Sequence, residues 1–389
     1  MSTGAPELIQ ETGGGIAPGE FEAPSEIAAR SPFQLFWRRI RQDKVTLASV
    51  IFIVLLIFCA VFAKQIIEIL GVRSPNEQST KFLDSFGSAS GPNFSTRTFF
   101  GTDGLGRDVF ARTLYGARIS LAVAFVSTFF VVVIGVTVGI IAGYYRGWAD
   151  TLLSRLMDVM LAFPVLLLAL GLGAACSYGH GCTIAKYSWF GHALVVVGLI
   201  GALLVPLFRR SRKPRDYLLS LAAWCVVIVP GLILMLTNAR GGLYLSPGLP
   251  VVLFVIVLAG WPYIARIIRG QVLSMREKEF VEAAIAMGAS DRRIMFRHIL
   301  PNLVAPIIVY TTLIIPTNIL FEAALSFLGV GVQPPTASWG AMISDATDIF
   351  DTAWWYMTFP GVALVLTVLA FNLVGDGMQD ALNPKASGR

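Results

Sequence analysis

Apolar runs of bilayer-crossing length recur along the whole chain, and no other feature constrains its fold as much. A span needs roughly 17–25 apolar residues in a helix. Such runs lie at about Val45 to Ala63, Ile119 to Tyr144, Leu152 to Ala175, Leu249 to Ile264, Leu303 to Leu328 and Trp355 to Val374. Two more, Ala193 to Phe208 and Tyr217 to Leu236, sit between the third and fourth of these. Backbone N–H and C=O groups in lipid must be satisfied within the segment, so these runs predict helices. The expected fold is an all-α polytopic membrane protein with eight spans. Composition agrees, since only 14% of the 389 residues are charged, against about 25% in soluble domains. The net charge of +6 falls in short loops between spans, where Lys and Arg set orientation. It therefore predicts no nucleic-acid partner.

Orientation follows from where the basic residues fall. Residues 1–32 carry Glu7, Glu11, Glu20, Glu22 and Glu26 among Gly, Pro and Ala. Without an apolar core they predict a disordered cytoplasmic tail and no secretory signal. Residues 33–63 read as an interfacial helix and the first span, with Phe33, Leu35, Phe36 and Trp37 preceding Arg38, Arg39, Arg41 and Lys44. Aromatics beside basic residues anchor that end at the inner face. Alternation then places 64–117 outside as a long polar loop, and 118–175 as the second and third spans. Pro164 lies within the third span, where neighbouring groups must satisfy the freed carbonyl. Residues 176–248 hold an outer loop and the inserted pair, joined by Arg209, Arg210, Arg212, Lys213 and Arg215, which belong inside. An inserted pair leaves the downstream topology unchanged. Residues 249–376 complete the core, and 377–389 form a cytoplasmic tail.

From Arg276 to Asn302 the chain turns polar between two apolar segments, with Glu277, Lys278, Glu279, Glu282, Asp291, Arg292, Arg293 and Arg297. Apolar residues still recur at helical spacing: Phe280, Ala283, Ala284 and Met287, then Ile294, Met295 and Ile299. Gly288 suits a left-handed helix end. Ser290 can cap a second helix, with Asp291 favoured in its first turn. Pro301 stands where the next helix would begin. The pattern predicts an amphipathic hairpin outside the bilayer, whose apolar face needs a protein groove or a membrane surface. The plainer reading is a loop that only solvates the membrane surface.

Glu282-Ala283-Ala284, then Gly288, then Leu300-Pro301 resembles the EAA loop of ABC importer permeases, with His298 where the general pattern is apolar. The FRHILPN ending, the stretch from Gly101 to Leu121, the stretch from Glu322 to Ile343 and the end from Asn372 to Lys385 resemble the dipeptide/oligopeptide/nickel branch. The likeness covers about residues 33–175 and 249–385. It implies a type I permease core of six transmembrane helices in a bacterial cell membrane, to which this chain adds two, with both termini cytoplasmic. It implies that Glu282, Ala283, Ala284, Gly288, Leu300 and Pro301 couple to an ATPase. It also implies a homologous second permease subunit, two ATP-binding subunits and an extracytoplasmic solute-binding protein as partners. The substrate implied is a di- or oligopeptide, with nickel or another small peptide-like solute as the alternative. The sequence holds no GxxxxGK[ST] phosphate loop. ATP and Mg are therefore expected on the partner ATPase, with no cofactor and no catalytic residue in this chain.

The remaining polar features read more plainly. Cys176 and Cys182 face outside in the predicted topology and can close a small loop by a disulfide or remain free thiols. Their spacing, with His180 and His192 and no carboxylate between Cys176 and His192, is irregular for a metal site, and no metal is expected. Cys59 and Cys225 lie in apolar spans and read as packing residues. Glu322 within a span is a functional candidate, or it lies near the outer interface and satisfies backbone donors. A secondary transporter would carry broken helices and polar groups at midplane, and a membrane enzyme would cluster His, Asp or Glu within its spans. The spans show no inverted repeat and few central charges, which leaves a secondary transporter as the lesser alternative, and none of the three histidines sits mid-span.

Overall fold

A computed structural model describes residues 40–85, 87–177, 182–184, 243–245 and 248–382. Helix α1 (Lys44–Val61) starts at Asp43, whose Oδ1 accepts from the Val45 N–H at 3.0 Å. A short helix, α2 (Ala63–Leu70), ends on Gly71 in the left-handed region. The long helix α3 (Val109–Tyr145) is followed by α4 (Trp148–Ala162) and α5 (Val165–Ser177). Then come α6 (Leu249–Arg276), α7 (Glu279–Ala286), α8 (Asp291–Phe327), α9 (Trp339–Ala346) and α10 (Trp354–Leu382). Five of these helices are long and apolar enough to cross a membrane, and α4 with the first part of α5 makes a sixth, bent span. These six match the six core spans read from the sequence. The inserted pair at 193–208 and 217–236, the interfacial helix up to Arg39 and the termini lie outside the described residues.

Several boundaries differ from expectation for local reasons. The third span is not one helix. Phe163 is extended (φ −75°, ψ 130°), as a residue before proline prefers, and α4 and α5 meet at 73°. The second span begins ten residues early, because Asp108 caps α3 by accepting from the Ala111 N–H at 2.9 Å. The segment 64–117 is therefore not wholly loop, since α2 and the first turns of α3 occupy both its ends. The last helix runs on to Leu382, into what reads as a tail. Pro301 does not open a new helix. It lacks an N–H for the carbonyl four residues back, and α8 widens into a π turn at Ile294–Ile299, with Leu300 N–H donating to the Met295 carbonyl.

A two-stranded ribbon departs from the helical pattern, as do three isolated β-bridges in the segment before α3. Strand β1 (Cys182–Ile184) pairs antiparallel with β2 (Leu243–Leu245), Cys182 opposite Leu245. Both ends of the segment 185–242 thus emerge side by side, which leaves the core connectivity intact.

Helices α3 and α6 form the central pair of the bundle. Gly135, Gly139 and Gly143 recur every fourth residue along α3, and a Cβ at Gly139 would lie 2.7 Å from the Ala265 carbonyl oxygen. Only glycine permits this backbone-on-backbone approach, the small-residue packing common between membrane helices. Helix α8 packs on α10 and α3, and α10 packs on α1. The outward surface of α1, α3 and α10 carries Ile51, Val54, Phe129 and Val365, each more than half exposed. A large apolar exterior of this kind suits hydrocarbon.

Candidate functional site

The hairpin lies at the end of the bundle where α3 and α6 finish and α8 begins. Lys278 is extended, and α7 then buries Val281 and Ala284, one turn apart, against Ile294 and Ile299. Glu282 and Ala283 on the opposite side are exposed. Helix α7 closes with Gly288 at φ +76°, the Gly288 N–H donating to the Ile285 carbonyl and the Ala289 N–H to the Ala284 carbonyl at 3.0 Å. That is a left-handed glycine cap. Ser290 is extended, but its side chain makes no capping bond, and Asp291 stands in the first turn that follows.

The apolar face differs in detail from the predicted one. Ala284, Ile294, Met295 and Ile299 are buried, but Phe280, Ala283, Ile285, Met287 and Phe296 are exposed, and Val281 takes the inward place. The helix is rotated so that Val281 and Ala284 seat on the bundle. A second apolar surface then points away from it, with Met287 at 79% exposure. Leu300 is half-buried against the same cluster and Pro301 is exposed. The structure thus places the Glu282–Gly288 stretch against the π turn that leads into Leu300 and Pro301.

Polar ties fix the hairpin to the spans. The Tyr144 hydroxyl donates to Asp291 Oδ1 at 2.9 Å, and Arg276 Nη1 donates to the Tyr144 carbonyl at 2.5 Å. Arg146 pairs with Glu277 at 2.5 Å. On the flank, Arg269 grips Asp150 through Nε at 2.5 Å and Nη2 at 2.9 Å, a bidentate geometry. Sequence reading missed Tyr144. Its only signal was a tyrosine at the polar end of an apolar run.

Two further polar clusters sit elsewhere. Glu322 is fully buried within the bundle, accepting from Ser120 Oγ and Ser326 Oγ, each at 2.7 Å. Its donors are hydroxyls rather than backbone groups. At the far end of the bundle Asp103 is buried, with Oδ2 accepting from Arg107 Nε at 2.6 Å and Oδ1 from the Leu105 and Arg107 N–H groups at 2.9 Å. Burial pushes the nearby Asp108 carboxyl up to about 6. The side chains of Cys176, Cys182 and His192 lie outside the described residues.

Comparison with known proteins gives matches to sequence families, curated relatives and solved structures. The sequence model of the family described as binding-protein-dependent transport system inner membrane component matches residues 135–212 and 194–388. That of the N-terminal TM domain of oligopeptide transport permease C matches residues 31–80. The dipeptide transport system permease protein DppC of Alkalihalophilus pseudofirmus is 34% identical over 360 residues, covering 92% of each chain. The glutathione transport system permease protein GsiD of Escherichia coli is 35% identical over 359 residues, again 92% of each. Among solved structures, the methionine ABC transporter MetNI in inward facing conformations matches with TM-score 0.44 and 20% identity, over 71% of this chain and 96% of that one.

Fold and matches together define a multi-pass transport permease. The chain belongs to the family of binding-protein-dependent transport system inner membrane components, and its six described spans are the permease core.

Proposed function

We propose that this chain is a pathway-forming subunit of an ATP-driven importer of di- and oligopeptides. It works with a homologous second permease, two ATP-binding subunits and an extracytoplasmic solute-binding protein. ATP and Mg bind on the partner ATPase, and this chain carries transport without a catalytic residue. The observation that carries the reading is the hairpin's two-sidedness. Val281, Ala284, Ile294 and Ile299 root it in the bundle, while Phe280, Ile285, Met287 and Phe296 stay exposed around the Glu282 carboxylate. An apolar patch around a charge, on a rooted hairpin, suits a groove in another protein. The matches to dipeptide and glutathione permeases support a peptide-like substrate.

In this reading the hairpin end faces the cytoplasm, so α1 begins and α10 ends there. Closure of the ATPase pair pulls on the hairpin, and the spans rock to expose the pathway to alternate sides. The test is uptake in proteoliposomes holding the complete complex, with labelled dialanine, glutathione and Ni²⁺ offered separately. Peptide uptake that requires ATP and collapses in Glu282→Ala is the expected result. Uptake by this chain alone without ATP overturns it, and uptake of Ni²⁺ alone moves the substrate to the metal.

A further inference from the structure

We infer that the Tyr144 hydroxyl and the Asp291 carboxylate form the joint through which the hairpin moves α3, which makes Tyr144 a positioning residue for coupled transport. The inference rests on the hairpin being the ATPase-docking element.

Tyr144 is the penultimate residue of α3 and is only 7% exposed, in one buried apolar cluster with Ile140, Ile268, Val272 and Ile294. A phenylalanine would fill that space equally well. The one group that requires tyrosine is the hydroxyl, and it reaches Asp291 Oδ1 at 2.9 Å across 147 positions of sequence. Asp291 opens α8 three residues after the Gly288 turn, at the elbow of the hairpin. A carboxylate there already favours the helix start. Its bond to Tyr144 adds a fixed attachment to a different span, and bonds to charged acceptors are the stronger kind.

The same residue holds the other limb. Its carbonyl accepts from Arg276 Nη1 at 2.5 Å, and the Arg276 guanidinium lies 5.6 Å from its ring centroid. Arg276 is the last residue of α6 before the first limb begins. The neighbouring Arg146–Glu277 pair is 47% and 69% exposed, so water and salt screen it and it contributes little. Beside the apolar packing, Tyr144 therefore carries the polar connection, by its side chain to one limb and by its backbone to the other. Beyond it, α3 lies backbone-on-backbone against α6 at Gly135, Gly139 and Gly143. Close packing of that kind transmits strain instead of absorbing it.

The experiment uses the complete complex in proteoliposomes and records the ratio of binding-protein-stimulated to basal ATP hydrolysis. Uptake of labelled dialanine and glutathione is followed alongside. Tyr144→Phe is expected to keep assembly and basal hydrolysis while lowering the ratio at least about five-fold, the lower end of ordinary site-to-site coupling. Asp291→Ala should lower the ratio by a similar factor. Asp291→Asn, whose amide oxygen still accepts from the phenol, should keep most of the ratio. A wild-type ratio in Tyr144→Phe overturns the inference. So does a normal Tyr144→Phe beside an Asp291→Asn as damaged as Asp291→Ala, which would assign Asp291 a direct charge contact with the partner. Glu282→Ala separates the two readings. If it leaves the ratio unchanged, the docking role itself fails; if it collapses the ratio while Tyr144→Phe does not, only the joint fails.

Discussion

The Ser120 hydroxyl on α3 donates to Glu322 Oε2 on α8 at 2.7 Å, a bond across 202 positions that closes inside the bundle. Ser326 Oγ holds the other carboxylate oxygen at 2.7 Å and itself accepts from the Val332 N–H at 3.2 Å, tying in the turn after α8. Single hydrogen bonds between membrane helices average about 0.6 kcal/mol, so Ser120→Ala should cost under about 1.5 kcal/mol. Glu322→Ala removes the shared acceptor, strands two buried hydroxyls and opens a cavity, and should cost roughly 2–4 kcal/mol. Thermal unfolding of the purified protein in nanodiscs checks this. Equal losses in the two variants would show that the carboxylate is not the centre of the cluster.

Close approach of α3 and α6 makes a sharper prediction. A Cβ at Gly139 would meet the Ala265 carbonyl oxygen at 2.7 Å and Ile268 Cβ at 2.8 Å, and neither a backbone oxygen nor a β-branched carbon can swing away. Gly139→Ala should therefore destabilise by about 1–3 kcal/mol, the usual range for overpacking. Gly270, inside α6, has nothing within 4 Å of its Cβ position. Gly270→Ala should stabilise by up to about 1 kcal/mol through helix propensity. Opposite signs in thermal unfolding are expected. The same sign in both would mean that the interhelical distance does not decide the effect.

Asp108 predicts a pH dependence at the other end of the bundle. Its Oδ1 caps α3, while Oδ2 is buried without a hydrogen-bond partner among the described residues. Burial raises the carboxyl from 3.8 to about 6, opposed by the Arg73 charge and reinforced by that of Asp103. Between these values the folded chain holds a proton that the unfolded chain has lost. The stabilisation is thus complete below the unfolded value and is lost as pH rises through about 6, a difference on the order of 3 kcal/mol at about 1.4 per tenfold change. Asp108→Asn keeps a good capping residue and does not titrate. Its unfolding temperature relative to wild type should rise between about pH 4 and about pH 7. A constant difference across that range would remove the claim.

Much of this architecture was legible because lipid imposes a simple rule. The six described spans follow from apolar length, and the left-handed Gly288 follows from a glycine between two amphipathic stretches. What escaped depends on partners remote in sequence. Gly135, Gly139 and Gly143 read as ordinary span residues until Ile264, Ala265 and Val272 lie against them. Tyr144 reads as an interfacial aromatic until Asp291 comes within 2.9 Å. The π turn at Ile294–Ile299 was hidden for a different reason. Proline at 301 signals a helix start and a helix interruption equally, and packing of Ile294, Met295 and Ile299 on the bundle decides for a continuous α8.

Gly288 offers the cleanest separation of shape from contact. Its φ of +76° is strained for any residue with a Cβ, yet a Cβ there would meet nothing within 4 Å. In this chain alone the glycine serves the turn and not the packing. A left-handed conformation costs roughly 1–2 kcal/mol for an ordinary L-residue, and asparagine tolerates it better. If the turn is all that matters, Gly288→Asn should assemble and transport close to wild type, Gly288→Ala should lose part of its activity, and Gly288→Val most of it. If a partner subunit presses on this position, the extra atoms of asparagine will be excluded, and Gly288→Asn will fail at least as badly as Gly288→Ala. Co-purification of the ATPase with each variant, measured with proteoliposome uptake, reads the order directly. The graded series Asn, Ala, Val assigns Gly288 to backbone geometry, and a series ordered by side-chain volume assigns it to the docking surface.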